Sequence, residues 1–167
     1  MVPGDIPVLQ QISAGARLRY GDVPALAHIA DAPPLARERF DAVTGWVAEA
    51  GGVVLGFALI RPVDDLLYLD NISTRVEARG MGLGAKLLAQ VLDSARAGGF
   101  ETVALTTFRT PLWNGPWFRR FGFQPMAQAR IGPGLAQIIA RQSLTLNPDQ
   151  REVLVRSVVR SVAGPAG

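Results

Sequence analysis

The sequence of 167 residues predicts one mixed α/β domain. Three observations carry that expectation. "WVAEAGGVVLGFALIRP" reads as two strands joined by a glycine pair. "LLYLDNIST" reads as a further strand that leads into a glycine-rich turn and a long amphipathic helix. Strands and helices then alternate to the end, with no repeat and no linker. The length suffices for one sizeable core and falls short of two ordinary domains. The domain is therefore drawn over residues 1–162, with "AGPAG", 163–167, as a frayed tail.

The elements follow in order. Asp5 can cap a first helix with Pro7 in its first turn, and Leu9 and Ile12 share a face. "RYGDVP" is a turn, and a second helix is expected from Pro34 to Val43. The hairpin runs Trp46 to Ala50, turns at Gly51-Gly52 and returns from Val53 to Arg61. "VDD" turns the chain again, and Leu66 to Thr74 forms the third strand. In the next helix Leu83, Leu87, Leu88, Val91, Leu92 and Ala95 fall on one stripe, which Gly98-Gly99 terminates. Thr102 to Phe108 is a strand, Pro116 to Phe121 a short helix, and "GFQPMAQAR" another strand. A helix over Gly134 to Arg141 and a strand over Glu152 to Val162 complete the order.

Composition excludes several classes. No cysteine is present, so disulfides, thiolate metal sites and cysteine nucleophiles are ruled out, and a reducing cytoplasm is the expected location. A single histidine, His28, rules out a multi-histidine metal site, and no metal is expected. The formal charge of +3 is spread along the chain, with Lys86 the only lysine. Nucleic acid binding would call for a concentrated basic stripe. The strongest apolar run, Gly51 to Ile60, is too short for a membrane span, and no secretory signal opens the sequence.

"RGMGLGAK" carries the chemistry. The first amides of a helix lack intrahelical acceptors and sit at the positive end of its dipole, so they bind anions. Glycine lets phosphate oxygens approach the backbone, and Arg79 can add a charge-assisted contact. Tight packing at the helix start is the bland alternative; it accounts for one glycine better than for Gly80, Gly82 and Gly84 together. The run also fits the dinucleotide fingerprint, with Glu101 about 20 residues on. There, however, the strand meets the first glycine directly, whereas Arg75 to Arg79 intervene here, and Glu101 precedes a strand instead of ending one. A phosphate-binding P-loop needs Gly-Lys-Ser/Thr, and this chain has Gly84-Ala85-Lys86.

"RGMGLG" matches the [Q/R]-x-x-G-x-[G/A] signature of the GNAT superfamily of N-acetyltransferases, with Arg79, Gly82 and Gly84 at the defining positions. "LTTFRTPLWNGPWFRRFGF" resembles that family's next strand and short helix, with Asn114 before the helix and Gly122-Phe123 after it. The resemblance covers roughly residues 45 to 160 and is nearest to small bacterial members. It implies a central, mostly antiparallel sheet flanked by helices, and acetyl-CoA as co-substrate. The pyrophosphate would lie on the amides of Arg79, Gly80, Met81, Gly82, Leu83, Gly84 and Ala85. The pantetheine arm would pair with backbone of Ile72, Ser73 and Thr74, and an N–H near Ile72 would polarise the thioester carbonyl. Asn114 and Phe118 would also border the cofactor. An amine of a small molecule or peptide would attack directly. Asp70 is the candidate base, on the strand face shared with Tyr68 and Ile72, and pairing with an arginine is its structural alternative.

Two departures from the family stand out. Phe118 occupies the place of a tyrosine that protonates the leaving thiolate. Loss of a general acid costs about 10²–10⁴ in rate; water or Tyr68 could substitute, or the chain could be a silent acyl-CoA-binding module. The family's first strand also has no counterpart before the first helix, so that strand is missing or the sequence starts late. A bare sheet edge would call for a covering loop or a homodimer. Trp113 and Trp117 are read as core or as acceptor pocket, Arg119 and Arg120 as solvated, and "RLRYGD" as part of the acceptor side. A nucleotide or dinucleotide enzyme using the same glycines is the third reading.

Overall fold

The computed structural model describes residues 1–41 and 43–159. The expected tail 163–167, and residues 160–162 of the expected last strand, lie outside the described residues. Six strands form one mixed, mostly antiparallel sheet flanked by helices, in the order β1-β2-β3-β4-β6-β5. They are β1 Thr44–Ala50, β2 Val53–Val63, β3 Leu66–Thr74, β4 Thr102–Phe108, β5 Gln124–Pro125 and β6 Arg151–Ser157. The helices are α1 Ile6–Arg17, α2 Leu83–Ala97, α3 Gly115–Arg119 and α4 Pro133–Ser143. The chain divides into two compact units, Met1–Arg61 with Leu69–Val91 and Pro62–Tyr68 with Leu92–Gly167.

In the first unit, α1 buries Ile6, Leu9, Ile12 and Ala16, a spacing of three to four residues that turns one stripe inward. Ile6, Leu9 and Ile12 pack with Phe40, Phe57 and Leu59. Each such side chain, fully buried, contributes roughly 1.5–3 kcal/mol. The β1–β2 hairpin closes at Ala50↔Val53 and runs to Thr44↔Ile60, with an irregularity between Ala48 and Glu49. Gly51 and Gly52 take φ of 57° and 76°, as a two-residue hairpin turn of the mirror-image type requires. β1 forms one edge of the sheet, and there the Met1 amino group donates to the Gly45 carbonyl at 3.2 Å.

Three expectations in this unit need correction. Asp5 stands at the head of α1, yet its carboxylate accepts from the Val2 amide at 2.7 Å instead of capping the helix. "RYGDVP" is largely 3₁₀-helical, in Leu18–Asp22 and Pro24–Ile29. The second helix reduces to one 3₁₀ turn, Arg37–Phe40, whose only buried residue is Phe40. A single buried position supplies no apolar stripe to stabilise a longer helix.

In the second unit, β4 pairs antiparallel with β6 along its length, from Thr102↔Ser157 to Phe108↔Arg151. Leu67 and Tyr68 of β3 pair in parallel with Val103 and Ala104. Leu66, Tyr68, Ala104, Leu135 and Val155 form the core. The stripe predicted for α2 buries Leu87, Leu88, Val91, Leu92 and Ala95. That helix ends as its glycines predict: Phe100 N–H returns to the Ala95 carbonyl at 2.9 Å and Gly99 N–H to Arg96 at 3.2 Å. α4 extends past its expected Gly134 to Arg141 at both ends. Its first turn is held from the β2–β3 turn, where Asp64 (φ 52°) accepts from the amides of Gly134 at 2.8 Å and Leu135 at 3.0 Å. The strand expected over "GFQPMAQAR" shrinks to Gln124–Pro125, because proline brings no N–H to the ladder. β6 ends at Ser157, short of the predicted Val162.

Candidate functional site

Within the first unit, the end of β3 leads through a glycine-rich turn to the start of α2. Arg75 is fastened to β2 by its amide on the Leu55 carbonyl at 2.8 Å and by its Nε on the Val54 carbonyl at 2.8 Å. Gly56 makes this possible: a Cβ there would stand 2.9 Å from the Ser73 carbonyl oxygen and 3.0 Å from Thr74 Cγ2. Ile72, Ser73 and Thr74 are thus held by β2 up to the turn. A 3₁₀ turn, Val76–Ala78, leads to Arg79. Gly80 and Gly82 then adopt φ of 80° and 72°, a region that L side chains enter at a cost. A Cβ on either would meet no protein atom within 4 Å, so the space above the turn is open. The Gly82 carbonyl accepts from Lys86 N–H at 3.1 Å, which starts the helix. The amides of Leu83, Gly84 and Ala85 therefore belong to its first turn, where no intrahelical acceptor exists. Met81 is exposed.

Arg19, in the first unit, is influenced by the charge of Arg79. Burial lowers Arg19 from the ordinary arginine value, Arg79 lowers it further by like-charge repulsion, and Tyr20 opposes the shift. Burial also lowers Arg17. Both side chains stay protonated near neutral pH. An anion near Arg79 and the start of α2 would offset like charge of this kind. The backbone, the open space and Arg79 beside the turn fit a pyrophosphate. The sequence placed Arg19 on the acceptor side; the cue it lacked is a tertiary neighbour some 60 residues away, which no local spacing encodes.

The Asp70 side chain is 3% exposed, and both of its carboxylate oxygens are engaged. Oδ2 accepts from Arg39 and Oδ1 from Arg61 at 3.1 Å. The structure therefore realises the arginine pairing, twice over. Arg39, 43% exposed, is the partner freer to leave.

The remaining predicted residues lie in the second unit. Tyr68, 1% exposed, shares a hydrogen bond of 2.8 Å between its hydroxyl and Thr106 Oγ1, and Gln142 Nε2 donates to it at 3.4 Å. Arg151 Nη2 donates to both Thr106 Oγ1 and Gln142 Oε1 at 3.0 Å. These four side chains form one network, and Thr106, Gln142 and Arg151 line a cavity of about 290 Å³. Asn114 heads α3, its amide donating to Pro111 and its carbonyl accepting from Phe118 N–H. Phe118 is buried edge-on against Trp117, at 4.9 Å, and Phe123, at 5.6 Å, with no hydroxyl to offer. Trp117 also meets Phe121, so it belongs to an aromatic cluster. Arg119, expected to be solvated, pairs with the buried Glu152 at 2.5 Å.

Among the described residues, no group of three His, Cys, Asp or Glu is placed to hold a metal ion. Nor is any helix long and apolar enough to cross a membrane.

A sequence model of the Acetyltransferase (GNAT) family matches residues 17–123, more than half of the chain. The chain is similar to a probable N-acetyltransferase camello of Xenopus tropicalis, 37% identical over 93 residues, which cover 54% of this chain and 42% of that protein. It spans less than half the length of the curated relatives it matches. Among solved structures, the ribosomal-protein-S18-alanine N-acetyltransferase from Escherichia coli aligns over 100% of this chain and 96% of its own, with a TM-score of 0.67 at 15% identity. A PaiA N-acetyltransferase from Thermoplasma acidophilum in complex with coenzyme A gives 0.69 at 12% identity, over 94% of this chain and 95% of its own. At these identities the two structures speak to the fold alone.

Proposed function

Because the chain belongs to the Acetyltransferase (GNAT) family, we propose that it is an acetyl-CoA-dependent N-acetyltransferase acting on an amine of a small molecule or peptide. The observation that carries this reading is the open glycine turn before α2, with φ of 80° and 72° at Gly80 and Gly82 and Arg79 immediately before it. Bound acetyl-CoA supplies an activated acetyl thioester. The amides from Arg79 to Ala85 bind its pyrophosphate, and Arg79 offsets its charge. Backbone of Ile72, Ser73 and Thr74 orders the pantetheine arm as an added strand would. The N–H near Ile72 polarises the thioester carbonyl. By the family pattern, Asn114 and Phe118 are assigned to the cofactor side.

The acceptor nitrogen bonds the acetyl carbon, the carbon–sulfur bond breaks, the nitrogen loses one proton and the sulfur gains one. Asp70 takes the proton from the amine once Arg39 moves off Oδ2. Tyr68 gives the proton to sulfur, replacing the donor that Phe118 lacks, and is recharged through Thr106. We place the protein in the cytoplasm, in keeping with its cysteine-free sequence. Phe118 also favours a second reading, an acyl-CoA-binding module without turnover, since its ring holds no proton.

Thermal stabilisation by acetyl-CoA, CoA and NADP at matched concentrations tests the first step. Stabilisation by both CoA forms and none by NADP is expected. Release of free CoA on adding amines then separates the enzyme from the module. No stabilisation by either CoA form overturns the reading.

A further inference from the structure

We infer that Asp70 is a receptor for an ammonium group and that Arg39 is its resident stand-in, a side chain that an incoming primary amine displaces from Oδ2. The inference rests on the acetyltransferase reading only in calling that amine the acceptor; the exchange of cations stands on this cluster of the first unit.

The carboxylate comes first. Asp70 Oδ2 accepts from Arg39 and Oδ1 from Arg61 at 3.1 Å, on a side chain almost wholly withdrawn from water. A carboxylate so placed keeps its charge by virtue of its partners. Stripping one partner away leaves a buried anion poorly compensated, which is costly. Exchanging that partner for another N–H cation avoids the cost. An ammonium carries three N–H donors on one atom, so it can replace the single guanidinium nitrogen that Oδ2 now holds.

The two partners differ in how they are held. Arg61 belongs to β2. Arg39 is 43% exposed against 31% for Arg61, and it sits in the single 3₁₀ turn Arg37–Phe40. An ion pair with one end this open to water is weakly held on that side. The turn has anchors of its own. Phe40 is buried with Ile6, Leu9 and Phe57, and Leu35 packs against the same cluster. Gln10 Nε2 donates to the Leu35 carbonyl at 2.6 Å. A swing of the Arg39 side chain therefore vacates Oδ2 while the backbone of the turn stays in place. The exchange asks for no hinge.

Arg39 is thereby a specificity-determining residue. It lowers the apparent affinity of every incoming amine by the fraction of time that Oδ2 is free. It also sets what can compete, because a competitor must match both its charge and its N–H donors. An amide lacks the charge, and a quaternary ammonium lacks the donors. The class that satisfies both is a primary amine arriving as its ammonium.

The test uses the full chain, with methylammonium as probe and tetramethylammonium as the control of equal charge without an N–H. Sodium chloride holds the ionic strength constant, and binding is read by calorimetry. Arg39→Ala is expected to bind methylammonium about tenfold or more tighter than the wild type. Tetramethylammonium should show no such gain, and adding Asp70→Asn to Arg39→Ala should erase it. Equal affinity in the wild type and a folded Arg39→Ala overturns the inference, as does an equal gain for both cations or a gain that survives Asp70→Asn. The wild type also answers without any variant. In its NMR spectrum the Arg39 Nε–H signal is expected to move toward that of a free arginine as methylammonium is added, and to hold still under tetramethylammonium. A signal that ignores methylammonium overturns the exchange. None of these measurements requires CoA. Absence of both CoA binding and CoA release with every amine defeats the acetyltransferase reading alone, because the two cations still judge the cluster.

Discussion

Replacing Gly82 by alanine separates the folding role of the glycine turn from its binding role. Gly82 has φ of 72°, and a Cβ there would meet no protein atom within 4 Å. The folding penalty is therefore backbone strain alone, about 1–2 kcal/mol, or about 2–8 °C in Tm for a chain of this size. The same Cβ would enter the space assigned to phosphate oxygens, and a tenfold rise in Kd is the least expected. At a concentration of a hundred wild-type Kd, acetyl-CoA stabilises the wild type by about 2.7 kcal/mol and such a variant by about 1.4 kcal/mol. That is about 5–11 °C against about 3–6 °C of ligand-induced shift. Gly51→Ala is the matched control. Gly51 also has a positive φ, 57°, and nothing within 4 Å of its Cβ position, so it carries a similar folding penalty without a place in the cradle. Differential scanning fluorimetry with and without acetyl-CoA measures both variants. Equal ligand-induced shifts in Gly82→Ala and Gly51→Ala would refute the assignment of phosphate binding to this turn.

Four further outcomes are expected. Asp64→Ala removes two amide bonds at the start of α4 and should lower unfolding stability in urea by about 1–2 kcal/mol; an unchanged midpoint would remove the cap from the account. Gly56→Ala forces a methyl to 2.9 Å from the Ser73 carbonyl and should destabilise by about 1–3 kcal/mol while weakening acetyl-CoA; a neutral effect on both would show β2 to be more pliant than its close approach implies. Tyr68→Phe should cut kcat about 10²-fold or more and leave the acetyl-CoA shift intact; a loss below about threefold would return the proton donation to water. Asp70→Asn should lower kcat by a comparable factor, read with a saturating amine, and retention of full turnover would leave Asp70 as an anchor for Arg39 and Arg61.

The parts legible in the sequence are those whose cause is local. The Gly51-Gly52 turn, the buried stripe of α2 and its Gly98-Gly99 end each depend on a few neighbouring residues whose backbone needs are fixed by chemistry. The glycine turn before α2 was legible for the same reason: positive φ at Gly80 and Gly82 is a local demand. What could not be read depends on distant partners. Residues 34–43 offer a proline start and good helix formers, but helix length is decided by the core, which takes only Phe40 from the turn that forms. The arginines on Asp70 come from 31 and nine residues away. Arg151 is an unremarkable first residue of a strand until Thr106 and Gln142 gather around it.

The Asp64 contact to α4 has a kinetic meaning as well. Gly134 and Leu135 donate their amide protons to a side chain outside their own helix. Those protons exchange with solvent only when the helix start lifts from the β2–β3 turn. The same helix carries Ile139 and Gln142 to the cavity. Deuterium uptake at two backbone positions thus clocks how often the wall of the cavity opens. A ligand seated beside Gln142 should slow that clock without touching either reporting amide.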